Sequence, residues 1–248
     1  MAVETSIVIR TKNEERWIGS LLQKLMAQSY KNFEIIIIDS GSTDKTIKIA
    51  KRFPIKLFKI PTKDFSYPYA LNYGIKRSSA IKYICIMSAH SLPVSSRWLA
   101  DGLENFQVFD RVVGVYAYPK SLPDGTFWDK LFQNGARFFQ DIVYRKRRWL
   151  VAEGAGGVLG FTNALIRKDL WEKRPLNEAY GAGGEDEEWA RYWLSKGYRA
   201  VYDKKFTVYH SHYLGFWGWI RQYLYWRLLG RPRPFRPVLF RKDPAHKS

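Results

Sequence analysis

A single cysteine, Cys85, stands among 248 residues. One thiol excludes an intramolecular disulfide and points to a reducing compartment. It lies in the apolar run "YICIM" and reads as a small buried hydrophobe. Acids are also scarce: 23 Asp and Glu face 41 Lys and Arg, a formal net charge of +18. Such an excess favours anionic partners, namely nucleic acid, anionic lipid headgroups or phosphorylated small molecules. No apolar run reaches the ~20 residues that span a bilayer. The start "MAVETSIVIRTKNEE" lacks the basic-then-apolar pattern of a secretory leader. The expectation is a cytoplasmic protein, peripheral at the inner face of the cell membrane. No helix-turn-helix, finger or aromatic-sheet RNA motif is present, so nucleic acid is not an expected partner.

Apolar residues make up 46 % and aromatics 17 %, enough for a substantial core. Short β-branched runs, "SIVIR" (6–10), "FEIIIID" (33–39), "IKLFKI" (55–60), "IKYICIM" (81–87) and "RVVGVYAY" (111–118), read as strands. Between them lie helical patterns over 14–28, 42–53, 69–78 and 96–107. Strand–helix alternation predicts an α/β fold, a mostly parallel sheet flanked by helices. Ligands of such sheets bind at the carboxyl ends of the strands, so loops 10–14, 39–44, 61–68 and 88–95 are the ones to read. From 119 the rhythm changes. Residues 126–149 read as one helix ending in the basic run 145–148, 186–197 as another helix, and "YRAVY" and "FTVYH" as short strands.

Asp39 ends a buried strand and is followed by Gly41, Ser42 and Asp44. An acid there can meet a nucleobase or ribose, or simply belong to a capped, solvated loop. Thr11, Asn13 and Glu14 end the neighbouring strand. A second puzzle is "GAGGEDEEW" (181–189), four consecutive acids, Glu185 to Glu188, in a basic chain. Helix-dipole attraction accounts for one or two at ~0.3–1 kcal/mol each. One ion could not collect four side chains that point in different directions. A carboxylate base for an acceptor hydroxyl needs only one of them.

These residues carry a resemblance. "SIVIRTKNEERWI", "EIIIIDSGSTDKT", "FSYPYALNYGI", "MSAHSLPVSSRWL" and "GAGGEDEEW", in that order, resemble the motifs of family 2 glycosyltransferases of GT-A fold. "VYHSHYLGFWGWIRQYLYW" (208–226) resembles the end of rhamnosyltransferase-like members. The resemblance implies a GT-A domain over 1–212, divided into a nucleotide-sugar half (1–118) and an acceptor half (119–212). Residues 213–248 would form a C-terminal aromatic and basic helix and tail. It implies inverting transfer from a UDP-, GDP- or dTDP-sugar to a lipid-phosphate or glycan acceptor. Thr11, Asn13, Glu14, Asp39, Gly41, Ser42, Asp44, Asn72 and Ser88 would hold the donor. Asp186 would be the general base, with Glu185 and Glu187 its rivals.

The sequence departs from that pattern where an Asp-x-Asp would hold a divalent ion. Ser88-Ala89-His90 stands there instead. His210 and His212, two apart on an extended segment, project the same way, and with His90 they offer a site for a divalent cation, Mn or Mg. Imidazole suits Mn and other transition metals better than Mg. Alternatively, one His is a buried hydrogen-bonding residue and the other is solvated. Without a metal, the leaving diphosphate would need cations such as Arg10, Lys12 or the run 145–148. The missing carboxylates also admit a non-catalytic nucleotide- or membrane-binding member. The segment from Tyr213 onward carries eight Lys or Arg, one Asp and nine aromatics. That composition suits an anionic membrane surface.

Overall fold

A computed structural model describes residues 2–135, 138, 145–151, 158–181 and 183–229. The first strands are β1 (Thr5–Thr11), β2 (Phe33–Asp39), β3 (Lys56–Lys59) and β4 (Tyr83–Ser88). They pair in parallel as β3-β2-β1-β4. Between them run α1 (Ile18–Met26), α2 (Thr46–Ala50) and α3 (Tyr67–Lys76). Successive side chains of a strand face opposite sides of the sheet. Ile7, Ile9, Ile35 and Ile37 therefore pack on α1 through Ile18, Leu21, Leu22 and Leu25. Val8, Ile36 and Ile38 pack on α3 through Ala70, Leu71 and Ile75. Burial on both faces is why these strands read as continuous apolar runs.

The second half extends the same sheet. It adds the short β5 (Leu92–Pro93), α4 (Trp98–Val108) and β6 (Val112–Tyr116). Then come α5 (Phe127–Asp129), which continues as a π-turn over Lys130–Asn134, β7 (Arg148–Val151) and β8 (Asn163–Arg167). The chain goes on through α6 (Lys168–Lys173), α7 (Glu185–Ser195), β9 (Arg199–Asp203), β10 (Val208–Tyr209) and α8 (Phe216–Leu229). The full order is β3-β2-β1-β4-β8-β6-β9-β7. β8 enters antiparallel to both β4 and β6. α1 and α4 cover one face, and α3, α6 and α7 the other. β5 and β10 form a separate antiparallel pair, Leu92 opposite Tyr209. The expected basic tail beyond Leu229 lies outside the described residues.

Two expectations need correction. Residues 126–149 are not one helix: helical structure runs through 127–134, and 148–151 are a strand. β7 lies at the sheet edge, where Trp149 stacks on Tyr202 at 4.2 Å. Second, half of the basic run 145–148 is not a free cationic face. Arg147 bonds Asp101 at 3.1 Å and Asp203 at 3.2 Å, and Arg148 pairs with Asp203 and Glu104. Asp203 is fully buried and Asp101 nearly so, and buried carboxylates need such partners. Cys85 is buried, as expected.

Candidate active site

Register places the site. Thr11 lies opposite Asp39, and Arg10 opposite both Ile38 and Ser88, so these residues share one carboxyl edge of the sheet. The loops after β1 and β2 interlock there. Asp39 is buried and accepts hydrogen bonds from the amides of Gly41 at 3.1 Å and Ser42 at 3.2 Å, and from the Ser42 hydroxyl. Ser42 Oγ accepts from Asn13 N at 2.9 Å, and Asn13 Oδ1 accepts from Thr43 N at 2.8 Å. Asn13 holds φ 53°, a left-handed conformation that Asn tolerates better than most residues. Gly41, at φ 97°, could not be replaced simply: a Cβ would lie 2.3 Å from Thr62 Oγ1. Asp44 braces the two loops, accepting from Glu15 N at 3.1 Å and Thr46 N at 2.9 Å. Desolvation opposes its charge, but those hydrogen bonds win and hold its carboxyl below the usual range.

Asn72 is placed elsewhere. Its amide oxygen accepts from Trp171 Nε1 at 3.0 Å and Leu176 N at 3.1 Å. Its nitrogen donates to Leu176 O at 2.9 Å and Glu178 at 3.0 Å. Both donors and both acceptors are used, so Asn72 ties α3 to the chain after α6 and does not face the donor loops. Ser88 shares a 2.6 Å hydrogen bond with Ser91, which contacts His210 Nδ1 at 3.3 Å.

The four acids separate by partner. Glu187 bonds Arg191 at 2.9 Å, one helical turn on, and Glu188 forms a two-pronged pair with Arg174. Neither is free for chemistry. Glu185 and Asp186 remain. Gly183 and Gly184 precede them at φ 124° and 91°, a left-handed approach that α7 needs in order to start there. Asp186 accepts from Glu187 N at 2.8 Å and Phe161 N at 3.3 Å. Glu185 is 3 % exposed and its Oε2 has no hydrogen-bond partner among the described residues. Burial and the neighbouring Asp186 push Glu185 up to about 8, and the Arg10 guanidinium opposes this. Burial also raises Asp186, while the amides of Glu187 and Phe161 and then Arg10 favour its charged form. Both carboxyls are therefore pushed toward the protonated form, Glu185 by burial and by Asp186, Asp186 by burial against the amides that favour its charge.

Arg10 links the acids to the strand tips. It lies 4.4 Å over the Tyr67 ring, its Nη2 is 3.5 Å from Phe161 O, and its Nε is buried without a partner among the described residues. Thr11 Oγ1 is likewise buried and unpartnered. Arg10 and the acids sit on the α3 side of the tips, and Thr11 and Asp39 on the α1 side. Buried polar atoms are nearly always satisfied; these three lie around one edge, while Thr5 Oγ1, Trp98 Nε1 and Trp193 Nε1 are likewise unpartnered elsewhere among the described residues.

The histidines converge because β10 pairs with β5. That ladder lays His210 beside the turn carrying His90. The rings of His90 and His210 stack at 4.4 Å, and His210 Nε2 is 3.2 Å from His212 Nε2. One ring nitrogen from each of the three lies within 4.8 Å of the others. His90 Nδ1 is 2.7 Å from Glu14 Oε1. Burial, with the other imidazoles, keeps His210 far below its ordinary pKa and His212 at about 4, so both are neutral and offer lone pairs.

The sequence profile of Glycosyl transferase family 2 matches residues 6–174. The chain belongs to that family. A Methanococcus voltae relative is 27 % identical in an alignment of 212 positions that covers 78 % of this chain and 62 % of the relative. It is described as a dolichyl N-acetyl-α-D-glucosaminyl phosphate 3-β-D-2,3-diacetamido-2,3-dideoxy-β-D-glucuronosyltransferase. This family member thus spans about three fifths of that relative's length. The Pyrobaculum calidifontis mannosyltransferase PcManGT, solved with GDP-Man and Mn2+, shares the fold. Its TM-score is 0.62 at 19 % identity, over 85 % of this chain and 57 % of that one. S. aureus TarS 1-349 with UDP-GlcNAc also superposes, with a TM-score of 0.62 at 17 % identity, over 86 % and 59 % of the two chains. The architecture is therefore the GT-A type.

A divalent ion in this family member fits the histidine cluster. Two nitrogens that both bind one ion at ~2.0–2.1 Å stand roughly 3 Å apart, as His210 and His212 do. Carboxylate or hydroxyl groups that hold the far nitrogen of a ligating His are the usual support, and Glu14 and Ser91 occupy those places. Of the cations suggested for the diphosphate, Arg10 is turned to the acids, Arg147 and Arg148 are engaged with buried carboxylates, and Lys12 is exposed at the β1 tip. The link from Arg10 to the acids was missed in sequence. Its signal was a lone cation at the end of a buried strand, which needs a partner.

Proposed function

We propose that this family member transfers a sugar from a nucleoside-diphosphate sugar, UDP-, GDP- or dTDP-linked, to a hydroxyl of a lipid-linked or cell-envelope glycan, with inversion. The observation that carries the reading is one carboxylate, Asp186, paired with no cation at contact distance among the described residues and set on the carboxyl edge that also bears the Asp39 loops. The donor runs along that edge. Its nucleoside lies against Thr11, Asp39 and the loop amides, and its diphosphate lies toward His90. The acceptor enters from the α3 side. Its hydroxyl oxygen bonds to the anomeric carbon as the carbon–oxygen bond to the diphosphate breaks. The nucleoside diphosphate leaves with that electron pair, and the hydroxyl proton passes to Asp186. A single displacement inverts the centre. Glu185 keeps its proton and donates a hydrogen bond, and Arg10 balances the remaining charge. His90, His210 and His212 would hold a divalent ion, Mn2+ suiting three imidazoles better than Mg2+. Such an ion would neutralise charge on the leaving diphosphate.

The lipid-linked acceptor draws support from the description of the Methanococcus voltae relative, and the donor class from PcManGT and TarS. The missing Asp-x-Asp favours a second reading, binding of nucleotide without turnover. A melting-temperature screen of nucleoside diphosphates and their sugars, with and without Mn2+, tests the proposal. At about a hundredfold above Kd, one nucleotide class should raise Tm by roughly 5–10 °C, and more with Mn2+ than without. A screen in which no nucleotide shifts Tm defeats the proposal. Binding without release of sugar to any acceptor or water selects the second reading.

A further inference from the structure

Beside the histidines the molecule exposes aromatic rings that the chemistry does not use. Trp217 is 77 % exposed and Phe127 69 %. They come from two segments, α5 with its π-turn and the start of α8, yet their rings form one sheet of contacts. Trp128 meets Phe216 at 4.9 Å, Phe132 meets Trp219 at 5.5 Å, and Phe127 and Trp217 flank them at 5.2 Å. The platform is anchored from beneath. The buried Asp129 carboxylate accepts from Trp219 Nε1 at 2.9 Å and from Tyr213 N at 2.9 Å. Trp219 in turn lies edge-on to His212 at 5.7 Å.

Asp124, exposed beside this face, is paired with Arg16 at 2.7 Å. In 126–134 the only acid is Asp129, which is buried, and α8 contains none. Lys130 and Arg221 are exposed, and the sequence continues with Arg227, Arg231, Arg233 and Arg236. A second copy of a chain with net charge +18 would bring like charges together. Trp and Phe with Arg and Lys is a composition that suits a membrane interface.

We infer that this platform docks on an anionic phospholipid bilayer, with Phe127 and Trp217 entering the headgroup region and Lys130 and Arg221 facing lipid phosphates. Docking there holds the His212 side of the site at the membrane surface. The consequence for a lipid-linked acceptor rests on the proposed function, whereas the docking itself does not.

The test uses the full chain with vesicles of phosphatidylcholine, with or without phosphatidylglycerol. The wild type should co-sediment with the anionic vesicles only. The F127S/W217S double variant should bind about tenfold or more weakly, with an unchanged Tm and unchanged nucleotide binding. Single F127S and W217S variants, each losing part of the effect, serve if the double variant folds poorly. Equal binding by wild type and variants, or no binding by the wild type at low salt, overturns the inference. So does a concentration-dependent dimer that the same substitutions dissolve. Vesicle binding that persists when no nucleotide binds would leave the docking standing and the proposed function fallen.

Discussion

Asp186→Asn is expected to lower sugar transfer by about 10²–10⁴-fold while nucleotide affinity stays within about twofold. The substitution keeps the shape and the contacts with Glu187 N and Phe161 N, and removes only the capacity to take a proton. Glu185→Gln should behave differently. Burial holds Glu185 protonated near neutral pH, and Gln is isosteric with that form, so kcat at pH 7 should stay within about threefold. Glu188→Gln loses the Arg174 pair but no reacting group, and it should cost stability rather than turnover. If E185Q is dead and D186N active, the roles within the pair are reversed. The same pair makes stability depend on pH. The folded pKa of Glu185, about 8, lies above its ordinary 4.5, so the native state binds the proton more tightly than the unfolded chain. That contribution is whole below about pH 4.5 and is lost as pH rises toward 8. E185Q lacks this titration, so its Tm relative to wild type should rise between pH 5 and pH 8. A flat difference across that range would show that Glu185 is not buried as a protonated acid.

Removing a metal ligand should have an effect nearly as large. In H90Q and H212Q, the dissociation constant for Mn2+, measured by calorimetry, should rise by more than about 100-fold. Glu14→Gln, which touches the ion only through His90, should fall between wild type and these variants, at roughly 10–100-fold. Chelation should silence the wild type and added Mn2+ should restore it, whereas H212Q should recover only at far higher Mn2+. Unchanged Mn2+ affinity in both His variants would remove the ion from the account. The leaving diphosphate would then depend on Lys12 and on loop amides.

The first half of the fold was legible because β1, β2 and β4 are buried along most of their length on both faces and α1 keeps one apolar stripe. Ile18, Leu21, Leu22 and Leu25 announce α1 without ambiguity. The second half resists such reading for a physical reason. β8 lies between β4 and β6 with the opposite direction, and no local pattern encodes the direction of a buried strand. β5 and β10 are two residues each, too short for any periodicity, yet their pairing is what gathers the histidines. The His pair was nonetheless visible from its i, i+2 spacing. The four acids were legible as a cluster but not as individuals. Their sorting depends on Arg174 and Arg10, which only the fold brings near, and on Arg191, one helical turn on from Glu187. Asn72 was assigned to the donor because of its motif. Its partners Trp171 and Leu176 lie about a hundred positions away in the chain, beyond any local signal.

The most direct measurement is a crystal structure of the D186N variant with its intact nucleotide sugar and Mn2+. The account predicts the base against Asp39, the diphosphate at His90 and His212, and the substituted side chain at position 186 facing the anomeric carbon from the side opposite the diphosphate. A donor whose anomeric carbon is screened from position 186 by protein, or one bound away from the carboxyl edge of β1 and β2, would contradict it.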